Sequence, residues 1–192
     1  MTKYLVACQY INWQHPEVLA KAQALSADLS SQLDIAQTCF EYVRDEIKHS
    51  WDYQLNPVTC IASDVLKYGT GYCYAKSHLL AALLRANNIP AGLCYQRLTI
   101  SDDQPPFCLH GLNAVYLDDF GWYRIDARGN KAGVNAQFTP PQEQLAFALI
   151  SSGESDITGI WPAPLAVIID ALNPKLSVLE VAENLPDIEI LT

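Results

Sequence analysis

The chain has 192 residues, 50% of them hydrophobic, 10% aromatic and 17% charged, which gives enough apolar surface for one real core and too little length for two full domains. Twelve Lys and Arg stand against 21 Asp and Glu, a formal net charge of -9, and the positives are scattered, which argues against a phosphate-binding face and a nucleic-acid partner. Six cysteines in a chain this large and apolar read as reduced thiols rather than a disulfide framework; no CxxC is present to suggest zinc, so neither a metal nor another cofactor is expected.

Leu5 to Cys8, LVAC, has the look of a lipoprotein cleavage box, but the few residues before it cannot form the apolar segment of a signal peptide. The start therefore reads as mature cytoplasmic protein. From Pro16 to Leu29 apolar residues recur at helical spacing behind a first-turn proline. Asp34 is expected to cap a second helix, IAQTCFEYVRDEIKHS, whose stripe is Ile35, Cys39, Phe40, Val43 and Ile47. A third helix, Thr59 to Tyr68, ends at Gly69, and a fourth runs from Cys73 to about Asn87, where Asn88 and Ile89-Pro90 stop it. Beyond Pro90 the chain turns β-rich, with strands expected at Ala91 to Ile100, Gly111 to Leu117 and Trp122 to Ala127. Past Gln137 it is punctuated by proline, with a polar patch from Ser151 to Thr158 and short helices around Leu165 to Leu172 and Ser177 to Leu185. Helices first and an antiparallel sheet second make the fold α+β. No run approaches a membrane span, the most apolar being Leu165 to Ile169. Residues 1–192 read as one domain.

Cys73 follows Gly69-Thr70-Gly71-Tyr72 and opens a strongly apolar helix. A thiol at a helix N-terminus feels the unpaired N–H groups and the positive dipole end, which favour the nucleophilic thiolate. A free cysteine is also often just a small buried hydrophobe. What favours chemistry is the company it keeps: a thiolate nucleophile needs an imidazole, and the imidazole needs an orienting carboxylate or amide. His110 starts the strand CLHGLNAVYL and Asp126 ends the strand GWYRID. If the two strands form a hairpin, His110 and Asp126 lie within one or two residue pairs. A three-residue loop centred on Asp118 sets them directly opposite, and a four-residue loop shifts the pairing and needs a bulge.

The stretches GTGYCYAKSHLLAALLRANNIPAGLCYQ, LHGLNAVYL and GWYRIDARGN, in that order, resemble the transglutaminase-like superfamily of papain-like cysteine enzymes, in the manner of a small stand-alone bacterial-type member. The resemblance spans about residues 41–130 and is carried by three motifs separated by 37 and 16 residues. It implies a papain-like core, with Cys73 as nucleophile, His110 as general base and acid, and Asp126 as the residue that orients the histidine. Where the family commonly has HAW or HSW, this chain has Gly111, Leu112 and Asn113 after His110.

An oxyanion hole would take the Cys73 N–H as its first donor. Trp51 or Tyr53, in HSWDYQ, is a candidate second donor, or packs as an ordinary aromatic. Arg128 and Lys131 would either hold a substrate carboxylate or pair with local acids. His78, about 140° around the helix from Cys73, reads as structural; His15 and His49 read as surface residues, and Cys60, Cys94 and Cys108 as packing. The function expected is a cysteine-dependent amide or peptide hydrolase acting on a peptide, protein or small amide. The alternatives are an acyltransferase using an amine acceptor and a noncatalytic binding module on the same fold. No membrane partner is expected.

Overall fold

The computed structural model describes residues 1–101 and 104–188. Among the described residues, seven α-helices and six strands follow in the order α1 (Pro16–Ser26), α2 (Gln32–Glu46), β1 (Lys48–His49), α3 (Ser50–Tyr53), α4 (Ala62–Tyr68), β2 (Thr70–Gly71), α5 (Cys73–Ala86), β3 (Ala91–Ser101), β4 (Gln104–Leu117), β5 (Gly121–Ile125), β6 (Ser155–Trp161), α6 (Ala166–Ala171) and α7 (Val178–Glu183). The fold is α+β, with the helical layer first and an antiparallel sheet of order β5-β4-β3-β6 behind it.

The fold is organised around α5. Every side chain from Cys73 to Arg85 is buried, because the helix packs on α1, α2 and α4 on one side and on β3 and β4 on the other. A helix apolar nearly all round is one that belongs inside. Its polar residues are matched by partners. Arg85 gives its guanidinium protons to the carbonyls of Val6, Ala91 and Pro162, and Lys76 gives its ammonium to the carbonyls of Arg44 and Ile47, where α2 ends. Gly69 caps α4 in the left-handed region at φ 64, as its sequence position leads one to expect.

Several boundaries differ from those read in the sequence. The cap of α2 is Ser31, whose hydroxyl accepts the Asp34 N–H, and the helix stops at Glu46 rather than at Ser50. Lys48 and His49 then pair in parallel with Thr70 and Gly71. β4 begins at Gln104, so His110 sits well inside a long strand, opposite Gln96. The polar patch near Ser155 is the edge strand β6, paired with β3; an edge strand with exposed residues on both faces carries little apolar alternation to reveal it. α7 has a full capping box between Ser177 and Glu180.

His78 is structural, as expected. It is buried against the Cys60 carbonyl, with Nδ1 at 2.7 Å. Burial, only partly opposed by that hydrogen bond, pushes its pKa down to about 4. The folded value lies below the unfolded one of about 6.5, so the unfolded chain takes up the proton first and stability is lost as pH falls from about 6.5 to about 4, by roughly 3 kcal/mol at the lower end. Denaturant titrations at pH 7 and pH 4 should show His78→Gln losing less stability across that interval than wild type by about this amount; equal losses would contradict it.

Candidate active site

Cys73 is the first residue of α5, delivered by the extended backbone of Tyr72 and the short ladder of β2. Gly71 is required there because an added Cβ would stand 3.0 Å from the Ala75 Cβ and 3.2 Å from the Thr59 hydroxyl. Gly111 has a similar task on β4: a Cβ would lie 2.8 Å from the Tyr74 ring and 3.0 Å from its Cα. The strand can therefore lie directly against the first turn of α5, and the Gly111 N–H points at the Cys73 Sγ, 3.5 Å away. Tyr74 fastens the same contact by donating its hydroxyl to the Leu109 carbonyl. The glycine that replaces the usual Ala or Ser after the histidine is thus explained by close packing.

The hairpin register is neither of the two considered from the sequence. Leu117 pairs with Gly121 and Asn113 with Ile125, which gives a three-residue loop centred on Asp119. Continuing that register sets residue 126 opposite Leu112, two residues along the same face from His110, so the carboxylate meets the ring diagonally. The His110 Nε2 lies 2.7 Å from Asp126 Oδ2, which leaves Nδ1 for Cys73, one of the groups that act on the ring's titration. Asp126 is fully buried; Oδ2 also accepts the Ala146 N–H at 3.0 Å and Oδ1 the Arg128 N–H at 3.1 Å.

Electrostatics follow from this geometry. Burial alone would lower the His110 pKa, but the Asp126 carboxylate, Cys73 and the hydrogen bonds to both outweigh it and raise the value to about 10. Burial pushes the Asp126 carboxyl up, and this is overcome by His110 and the two backbone N–H groups, which hold it below the ordinary value. An imidazolium between a carboxylate and a sulfur is the state such an arrangement favours. Cys73 and His110 face a cavity of ≈ 800 Å³ whose wall also includes Trp51, Tyr72, Phe147 and Ile150. Phe147 stacks edge-on against the His110 ring at 5.0 Å.

The remaining sequence candidates fall at different distances from this centre. Trp51 lines the cavity but is 43% exposed. Tyr53 is 56% exposed, lies beneath the Lys48 ammonium and lines a smaller neighbouring cavity instead. Arg128 lines the main cavity and is buried, with its guanidinium bound to both oxygens of Asp52 at 2.7 and 3.0 Å. Lys131 reaches the same carboxylate at 2.7 Å. Burial opposes ionisation of Asp52, but the hydrogen bonds from these two cations bring its pKa down to about 2.

His49 and Lys76 were not legible as site residues. His49, expected at the surface, is only 7% exposed, because α2 ends early and β1 turns it inward beside Gly71. The sequence signal is the alternation of apolar Ile47, charged Lys48 and His49, which fits a strand period as well as a helix end. Lys76 is fully buried. Burial first, then the Arg128 charge, lowers its pKa to about 7. By holding the end of α2 it fixes where β1 begins.

A model of the transglutaminase-like superfamily matches residues 20–127, more than half of the chain, a span that contains Cys73, His110 and Asp126. No curated protein matches it. Among solved structures the fold is similar to that of a candidate cysteine protease from Cytophaga hutchinsonii, with 18% identity, 66% of this chain and 41% of that one covered, and a TM-score of 0.53. It is also similar to the periplasmic domain of TgpA from Pseudomonas aeruginosa, with 18% identity, 65% and 45% covered, and a TM-score of 0.47. The chain spans less than half the length of each. Among the described residues no helix is long and apolar enough to cross a membrane.

Proposed function

The chain belongs to the transglutaminase-like superfamily, and on that premise we propose that it is a cysteine-dependent amide or peptide hydrolase that works through a thioester. The observation that carries this reading is that Cys73 and His110 share the wall of a ≈ 800 Å³ cavity, with His110 Nε2 held 2.7 Å from the buried Asp126 and the N–H of the next residue, Gly111, 3.5 Å from the Cys73 sulfur. The Cys73 thiolate attacks the substrate carbonyl and forms the C–S bond. His110 gives its proton to the leaving nitrogen as the C–N bond breaks. Water then attacks the thioester while His110 takes a proton from it, and the C–S bond breaks to free the carboxylic acid and the thiol. Asp126 holds the ring so that one nitrogen faces the sulfur and the positive charge is balanced.

Exposed apolar side chains at the cavity, Trp51, Ile100 and Ile150, favour peptide substrates with an apolar residue near the scissile bond. All six cysteines are free, which fits a reducing compartment, the cytoplasm; the 192 residues are taken as one domain. The test is a panel of short peptide amides with apolar residues, incubated with and without millimolar glycine methyl ester, the products identified by mass spectrometry. The free acid should remain the main product in both. A dominant ester-amine adduct would make the protein an acyltransferase, and no turnover of any member would favour a noncatalytic module.

A further inference from the structure

The geometry points to His49 as the second oxyanion donor of this site: its side chain donates from Nε2 to the carbonyl oxygen of the substrate as Cys73 attacks, opposite the backbone N–H of Cys73. This rests on the hydrolase reading above and adds a residue to it. Three observations carry it. First, the β1–β2 register pairs His49 with Gly71, two residues before the nucleophile, and the ring sits edge-on to Tyr72 at 5.6 Å, on the wall of the cavity that Cys73 and His110 share. Second, Nδ1 is buried on the Asp52 side, 3.8 Å from Oδ2 and without a hydrogen-bond partner, so the distal nitrogen is the one presented to a substrate. Third, the Asp52 carboxylate accepts three hydrogen bonds from Arg128 and Lys131 and lies 3.8 Å from Nδ1, beyond hydrogen-bond reach. It therefore makes no hydrogen bond that would hold the proton on Nδ1, and an anionic oxygen in the cavity selects the Nε2–H tautomer.

The same surroundings keep the ring uncharged. Burial, followed by the positive charge of Arg128, lowers the His49 pKa well below its ordinary value despite the opposing effect of Asp52. Two imidazoles thus line the cavity of the thiol with different tasks: His110, paired with Asp126, carries the proton, and His49, whose carboxylate neighbour is held by two cations, stays a neutral donor. Trp51 and Tyr53 are less suited. Trp51 is largely exposed and Tyr53 lies outside this cavity.

The test compares two reactions of the same sulfur. Alkylation by iodoacetamide is displacement at a saturated carbon and develops no oxyanion; acetylation by p-nitrophenyl acetate passes through one. His49→Phe should leave the alkylation rate of Cys73 within about twofold of wild type and lower single-turnover acetylation on the order of 100-fold or more, as loss of one oxyanion donor does. His49→Gln, which keeps an N–H donor, should recover part of the acetylation rate, with melting curves confirming that both variants fold. If the two reactions fall together, His49 only positions the thiol, and the proposal is overturned; equal acetylation in wild type and His49→Phe overturns it as well. Wild type that alkylates at Cys73 but never acetylates there would instead bring down the hydrolase reading, and His49 with it.

Discussion

Cys73→Ala is expected to abolish amide hydrolysis, a fall of roughly 10⁴-fold or more in kcat/KM, the scale seen when a covalent nucleophile is removed from a site whose other members remain. The fold should persist, since alanine suits the first turn of a helix and the Cys73 sulfur accepts one long hydrogen bond, from the Gly111 N–H at 3.5 Å. The loss should leave a second trace. Cys73 is one of the groups that raise the His110 pKa, so removal of the sulfur should bring the His110 titration, followed by NMR, down from its wild-type position. A variant that still hydrolyses the substrate, with an unmoved histidine, would contradict the role given to this residue.

Asp126→Asn should lower turnover by roughly 10³- to 10⁴-fold, as a wrong tautomer and a lost charge do in comparable sites. It should also cost about 1–3 kcal/mol of stability. The two oxygens of Asp126 accept His110, Ala146 and Arg128 in a fully buried place, and an amide has only one oxygen to offer, so one donor is left facing the NH₂ group. The sign of the accompanying pH effect is fixed. His110 has a folded pKa of about 10, above the unfolded value of about 6.5. Its contribution is fully present below about 6.5 and is lost as pH rises through about 10. Denaturant titrations at pH 7 and pH 10 should therefore show a smaller alkaline loss in Asp126→Asn than in wild type; parallel losses, or unchanged turnover, would refute the pairing.

What could be read from the sequence was what local chemistry writes into it. The α5 segment carries its own start, apolar face and stop, so the position of Cys73 at its first turn was legible. The order of strands placed His110 and Asp126 on neighbouring elements, although only the structure supplied the loop centred on Asp119. What escaped depends on distant parts of the chain. His49 is buried because Thr70 and Gly71, more than twenty positions away, offer a ladder to β1. Lys76 is buried because the carbonyls ending α2 need donors. β6 was missed since its partner, β3, lies some 60 residues earlier and its exposed residues mimic a loop. Arg128 presented two readings, and its pairing depends on Asp52, which sits on α3, far away in sequence.

Acyl transfer to Cys73 is the step on which the proposed reaction rests. Its most direct test is to mix the wild-type protein with p-nitrophenyl acetate, quench in acid within one turnover, and map the acetyl group by peptide mass spectrometry. A single acetyl on the peptide containing Cys73, removed by neutral hydroxylamine as a thioester is and absent from His110→Ala, is the predicted result. Acetyl groups spread over lysines, or concentrated on Cys8 or Cys108 while Cys73 stays free, would contradict it.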